Sequence, residues 1–77
     1  MLIKVTQQDI ELGMRFSSLR CPVACAIKRA ADAAVAVGAT SVIIYDQRLP
    51  LPAVAELAIR DFDAGRVILP FEFELDV

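Results

Sequence analysis

The stretch SSLRCPVACAIKRA, residues 17–30, holds the residues of this chain whose types and spacing could do chemistry. Proline is favoured at the first position of a helix, so the Cys-Pro pair at 21–22 predicts a helix start. The free N–H groups of a helix start attract anions. An arginine and two hydroxyls just before this start would complete a pocket for a phosphate group, and further cations would extend it if they project the same way. The candidate binding residues are Ser17, Ser18, Arg20, Cys21, Arg15, Lys28 and Arg29.

The alternative interpretation of this stretch is a plain capped helix with arginines on its surface, since no glycine-rich phosphate loop accompanies it. A third interpretation is a reactive thiol, because a helix start can lower the pKa of a cysteine such as Cys21. A catalytic cysteine usually needs a base, however, and the chain has no histidine. The spacing of Cys21 and Cys25 favours reduced thiols over a disulfide, and a zinc site would lack ligands.

Paired acids occur at Asp61 and Asp63 and again at Glu72 and Glu74. Such pairs can do acid–base work or hold a hard metal ion. The two glutamates alternate with apolar residues, as on the wet face of a strand, so we interpret them as solvated or as partners of basic residues on another subunit. We expect no metal or other cofactor. The net charge of −2 argues against a nucleic-acid partner.

The first third of the chain predicts a strand, a short helix and a loop. Residues 2–5 are mostly β-formers, and Thr6 begins a capping box for a helix over 7–12. Segment 14–20 has mixed polarity and predicts a loop. Its apolar side chains, which we expect to pack inward, are Met14, Phe16 and Leu19.

The longest predicted element is an alanine-rich helix. It starts at Pro22 and runs to Val35 or Val37, with Gly38 as its stop. Apart from a narrow polar wedge its residues are apolar, which indicates burial on most sides. Subunits of an oligomer would pack through this helix.

The second half of the chain predicts a central strand over 41–45, a turn at 46–48 and an edge strand through Leu49 and Leu51, where prolines cannot donate ladder bonds. A helix from Pro52 to Gly65 and a strand with period-2 alternation over 71–75 follow.

These elements predict one α+β domain over residues 1–77: a small sandwich with two or three helices on one face of a three- to four-stranded mixed sheet. A domain of this size is marginally stable by itself. Its hydrophobic content of 57% predicts an interface, so we expect a homo-oligomer. No segment matches a membrane span or a signal peptide, which predicts a cytoplasmic protein. Residues 1–30 carry five bases against two acids, and residues 31–77 carry three against eight, so oppositely charged halves can meet within or between subunits.

Three stretches, VTQQDIELG at 5–13, CPVACAI at 21–27 and IRDFDAGRVILPFEFEL at 59–75, resemble a family of small uncharacterised proteins encoded in bacteriophage and bacterial genomes. This family has no established activity, so the resemblance carries over no catalytic residues; it favours a binding protein over an enzyme, with the cytoplasm of the host as its location. The leading hypothesis is an oligomer that sequesters a phosphate-bearing nucleotide signal of host defence. The alternatives are a module that binds a host protein, in an anti-defence or regulatory role, without a small ligand, and a thiol-dependent redox protein that uses Cys21.

Overall fold

In the computed structural model, which describes residues 1–77, the first and last strands of the chain pair with each other. Strand β1 (Leu2–Val5) is antiparallel to the final strand (Phe71–Glu74). Beyond the ladder, the Met1 ammonium donates to the Leu75 carbonyl at 2.9 Å, and the Leu75 N–H donates to the Met1 carbonyl at 2.9 Å. Phe73 and Leu75 are buried while the acids beside them are exposed, so the predicted alternation is confirmed.

Helix α1 (Gln7–Leu12) begins at the predicted capping box. The Asp9 N–H donates to Thr6 Oγ1 at 3.2 Å, and the Thr6 N–H donates to Asp9 Oδ2 at 2.9 Å. Two N–H groups that the helix cannot satisfy internally are thereby paired. The chain leaves α1 at Gly13, where a Cβ would stand 2.7 Å from the Cδ and Cγ atoms of Pro22. Only glycine permits this close approach to the next helix.

Helix α2 (Pro22–Ala31) starts as predicted but ends early. The prediction of a helix that continues to Val35 or Val37 and stops at Gly38 is wrong. Asp32 ends the helix in the left-handed conformation, with φ 51° and ψ 46°, and its N–H donates back to a carbonyl of the last turn at 2.9 Å.

The residues expected to finish that helix form strand β2 (Val35–Val37), which is antiparallel to strand β3 (Ser41–Ile44). The two end valines of β2 lie opposite Ile44 and Val42, and all four side chains are buried. Branched side chains pack well on a pleated sheet and lose rotamer freedom in a helix. This cross-strand pairing therefore outweighs the local helical pattern.

Strand β4 (Gln47–Pro50) completes a three-stranded sheet in the order β2-β3-β4. Tyr45 and Asp46 have φ values of 52° and 59°, as a two-residue hairpin turn with both residues left-handed requires. The turn therefore lies at 45–46 and not at the predicted 46–48. Strand β3 is central and β4 lies at the edge, as predicted, although β4 ends before Leu51.

Helix α3 (Ala53–Asp63) follows Pro52 and ends before Gly65, which has a φ of 82°, so the prediction of this helix is confirmed. Its buried residues are Ala55, Ala58 and Ile59. The final strand, Phe71–Glu74, is numbered β5.

The core forms around α2, which contacts both sheets and α3. The α+β class is confirmed, and the five strands are divided between two antiparallel sheets of two and three strands. Short chain connections from strand to strand explain the antiparallel pairing of β2, β3 and β4, because parallel strands need long crossovers. None of the three helices has the length and apolar character that crossing a bilayer requires.

Candidate functional site

The loop between α1 and α2, residues 13–21, holds its apolar side chains outward. Met14, Phe16 and Leu19 are exposed, so the prediction that they pack inward is wrong. The Met14 N–H donates to the Arg20 carbonyl at 2.8 Å and closes the loop on itself. The residues directly after the loop, at the start of α2, are buried in its place.

Cys21 caps α2 with its sulfur. Its Sγ accepts the Ala24 N–H at 3.4 Å, and its own N–H donates to the Ser17 carbonyl at 3.1 Å. The side chain is only 3% exposed. Burial raises the pKa of this thiol, against the opposing effect of the N–H groups of Ala24 and Val23. The thiol is therefore protonated and shielded at neutral pH, the opposite of an activated nucleophile.

The two serines of the loop accept hydrogen bonds from backbone N–H groups of the chain. Ser17 Oγ accepts the Arg20 N–H at 3.0 Å, and the Ser18 carbonyl accepts the Val37 N–H of β2 at 2.8 Å. The guanidinium of Arg20 is exposed and makes no hydrogen bond or ion pair. Ser17, Ser18 and Cys21 are brought to one surface, as the sequence suggested.

Two of the predicted cations lie apart from that surface. The Lys28 ammonium donates to the Leu19 carbonyl at 3.0 Å. The Arg15 guanidinium lies over Gly65, with Nη2 3.4 Å from the place where a Cβ would stand. Neither side chain lines the groove described below.

Arg29 has a structural partner. Its Nη1 and Nη2 donate to Asp9 Oδ1 and Oδ2 at 2.6 and 2.8 Å, and Nη2 also donates to the Lys4 carbonyl at 2.9 Å. Burial works to raise the pKa of Asp9, but the hydrogen bonds from Arg29 and Thr6 outweigh it and hold that pKa below its ordinary value of 3.8. This fork ties α1, α2 and β1 together and leaves Arg29 unavailable to a ligand.

A groove of about 910 Å³ opens on the surface that Ser17, Ser18 and Cys21 share. One wall is the loop, at residues 16–18 and Cys21. A second wall is the β2–β3 turn at 37–40, and the third is the face of α3 that includes Ala53, Leu57 and Ala64. Most of the lining is apolar, which is typical of sites that bind apolar groups.

The groove carries three charged side chains, all on α3: Glu56, Arg60 and Asp63. Asp63 has a second role, because its Oδ1 accepts the Phe16 N–H at 2.9 Å. This bond holds the loop to α3, while the bond from Val37 to the Ser18 carbonyl holds the loop to β2. Two carboxylates against one guanidinium leave the groove with an excess of negative charge.

The α3 wall is the part that sequence reasoning missed. Its residues lie more than 30 positions beyond the loop, and no motif links the two segments. One signal was present in the sequence. The helical spacing puts Val54, Ala55, Ala58, Ile59 and Phe62 on one apolar face, and Leu57 falls outside it, so this leucine marks apolar area without an assigned partner.

No protein-family model, curated protein or solved structure matches this chain. The resemblance to small bacteriophage and bacterial proteins stays a prediction.

Replacing the guanidinium of Arg29 tests its structural role. In Arg29→Gln we expect the free energy of unfolding at pH 7 to fall by about 1–2 kcal/mol, a value reduced for the half-exposed guanidinium, because the carboxylate of Asp9 loses its charged partner. The folded-state pKa of Asp9 is lowered, so its contribution is present above pH 3.8 and is lost as the pH falls through the folded-state pKa. Urea unfolding of both proteins at pH 7 and at pH 2–3 should show the difference shrink in acid. Arg20→Gln, at an arginine without side-chain bonds, is the control and should match the parent at both pH values.

Thiol reactivity tests the state of Cys21. We expect Cys25, which is half-buried, to react with a disulfide reagent such as DTNB before Cys21 in the native protein. The Cys25→Ser variant should then show one slow thiol that becomes fast in denaturant. Rapid labelling of Cys21 in native Cys25→Ser would contradict its burial and would revive the thiol-dependent interpretation.

Proposed function

We propose that this protein acts by binding another protein, without catalysis, and that the groove receives an apolar segment of that partner. The size and largely apolar lining of the groove support this assignment. The charged side chains of the groove all lie on α3. This is expected for a site where an apolar segment contacts the apolar lining and a few polar groups orient it.

The observation that carries the proposal is Phe16, at the mouth of the groove. It is 81% exposed, and its φ of 57° places it in the left-handed region that disfavours a bulky side chain. The fold gains little from this aromatic ring, since the ring packs on little of the chain. An exposed aromatic side chain in a strained backbone conformation is typical of a contact site, where its burial by a partner offsets the strain.

The rest of the surface supports a binding role in an assembly. Thirteen large apolar side chains are exposed, and a partner that covers some of them would remove apolar area from water. We propose a homo-oligomer on this basis. The phage-type context, with host defence or regulation as its setting and the host cytoplasm as its location, is part of the proposal and rests on the resemblance in three stretches of the sequence.

A phosphate-bearing nucleotide is the second candidate ligand. Ser17 and Ser18 line the groove, and Arg60 supplies a cation from the opposite wall. Against it, Glu56 and Asp63 lie on that same wall and would repel a phosphate. Lys28 and Arg29 bond to other groups of the chain. One N–H group of the helix start, that of Ala24, already donates a hydrogen bond to the sulfur of Cys21. The burial of that sulfur also opposes the thiol-dependent alternative.

The strain at Phe16 predicts that this ring does not serve stability. In Phe16→Gly we expect the free energy of unfolding to stay constant or rise by up to about 1 kcal/mol, because glycine accepts a positive φ without steric cost. Met14→Gly, an exposed loop position without positive φ, should instead lose about 0.5–1 kcal/mol. The urea midpoint of unfolding of each variant, compared with that of the parent chain, measures both changes in stability. A large loss of stability in Phe16→Gly would mean that the ring is part of the fold.

Photo-crosslinking tests whether protein contacts the groove. With p-benzoylphenylalanine in place of Phe16, irradiation in the producing cells should give a crosslinked adduct of defined mass, either with a second copy of the chain or with another protein. The same group in place of Leu12, an exposed apolar side chain outside the groove, should give none. The Leu57→Glu substitution should abolish the adduct by charging the groove. If the group at position 16 crosslinks to no protein, the proposal fails, and a retained mass of nucleotide size in a native mass spectrum would favour the phosphate ligand.

A further inference from the structure

The outer edge of β5 has backbone groups that no other part of the chain satisfies. Met1 and Leu75 each donate an N–H to the other's carbonyl at 2.9 Å, so they form a hydrogen-bonded pair of the antiparallel ladder. Bonded and non-bonded pairs alternate along such a ladder, which makes Glu72 and Glu74 non-bonded toward β1. Their N–H and C=O groups therefore point away from β1, where no other strand lies and no hydrogen bond within the chain reaches them.

Each of the three other strand edges has a group that obstructs pairing with a further strand. On β1, the Lys4 carbonyl accepts Nη2 of Arg29 at 2.9 Å. On β2, the Val37 N–H donates to the Ser18 carbonyl of the loop at 2.8 Å. On β4, one of the outward positions is Pro50, which has no N–H to donate. Proteins obstruct strand edges in such ways because a free edge pairs with other chains, and β5 has no obstruction of its backbone.

The charge of β5 selects the kind of strand that can pair with it. Both glutamates that own the outward groups are exposed, and Glu72 forms no ion pair, whereas Glu74 lies 3.3 Å from the N-terminal ammonium. Two copies of β5 joined antiparallel would place a glutamate opposite a glutamate, and like charges in that position destabilise a sheet. A strand with cations at alternate positions would instead place opposite charges across the new pair of strands.

We propose that β5 binds an extended basic segment of another protein, which adds a third strand to the sheet of β1 and β5. Main-chain hydrogen bonds to Glu72 and Glu74 provide the affinity of such strand addition, and lysine or arginine at alternate positions provides the selectivity. No residue of β5 lines the groove, so this site is separate from the one that receives the apolar segment. The inference goes beyond the proposed function and does not depend on it.

Peptide binding followed by amide hydrogen exchange tests the proposal. The probe is a short acetylated peptide in which lysine alternates with valine, and the control peptide has glutamate in place of each lysine. With the lysine peptide at saturation, we expect the amide protons of Glu72 and Glu74 to exchange about tenfold more slowly, because they gain acceptors. The amide protons of Phe71 and Phe73 already face β1 and should change little. The glutamate peptide should change none of the four.

Three variants separate the contribution of the backbone from that of the charge. Glu72→Pro removes an outward N–H but no bond to β1, and it should bind the lysine peptide about tenfold more weakly. Arg48→Pro removes an outward N–H from β4 and is the matched control, which should bind as the parent chain does. The Glu72→Gln, Glu74→Gln double variant keeps every backbone group and should bind the lysine and glutamate peptides with equal affinity.

The position of the slowed amide protons decides the outcome. The proposal is overturned if the lysine peptide leaves Glu72 and Glu74 unchanged, or if it slows groove residues such as Ala39 and Thr40 in their place. Slow exchange at the two glutamates that appears without peptide as the protein concentration rises would assign the edge to a second copy and also overturn it. Absence of a crosslink at position 16 would remove the proposed function of the groove and leave the result at β5 intact.

Discussion

The burial of the first half of α2 is the constraint on which the rest of the structure depends. Pro22, Val23, Ala24, Ala26 and Ile27 are all buried, so the start of this helix lies inside the core. Buried N–H groups must find partners, and water cannot supply them there. The sulfur of Cys21 accepts one, and Cys21 in turn donates to the carbonyl of Ser17. The loop therefore folds back over the helix start, and its apolar side chains Met14, Phe16 and Leu19 are exposed.

The cations in the last turn of α2 also bond to other parts of the chain. Arg29 reaches from α2 to Asp9 of α1 and to the carbonyl of Lys4 in β1, so one side chain joins three elements of a small fold. The unequal charge of the two halves suggested contacts between them, and the N-terminal ammonium does lie 3.3 Å from a carboxylate oxygen of Glu74. The strongest ion pair, however, lies within the basic first half, where burial of Asp9 demands it.

The elements that sequence predicted correctly are those marked by local signals. The capping box at Thr6, the proline before α3 with the glycine after it, and the alternation in β5 each identify an element within a few residues. The end of α2 carries no such local signal, because alanines continue from the helix into β2. The two valines of β2 form a strand because they pair with β3, which lies further along the chain. The groove is likewise non-local: Phe16 and Asp63 are joined by a hydrogen bond across 47 positions. Of seven predicted binding residues, only the three at the loop and helix start lie on it.

The strained residue Phe16 and the exposed side chains of the connection at residues 66–70 both lie next to the end of α3. Asp63 accepts the hydrogen bond that holds Phe16 in its left-handed conformation, and the connection to β5 begins three residues later. A glycine at position 16 could donate the same hydrogen bond without strain, so the fold does not require an aromatic ring there. Val67 and Leu69 in this connection are exposed, so their apolar area stays in contact with water, which is unfavourable. Strain at Phe16 and exposed apolar area at Val67 and Leu69 are both unfavourable for the isolated chain. Of these residues Phe16 lines the groove, so a group that fills the groove would remove its ring from water, whereas the fold of the monomer gains little from that ring.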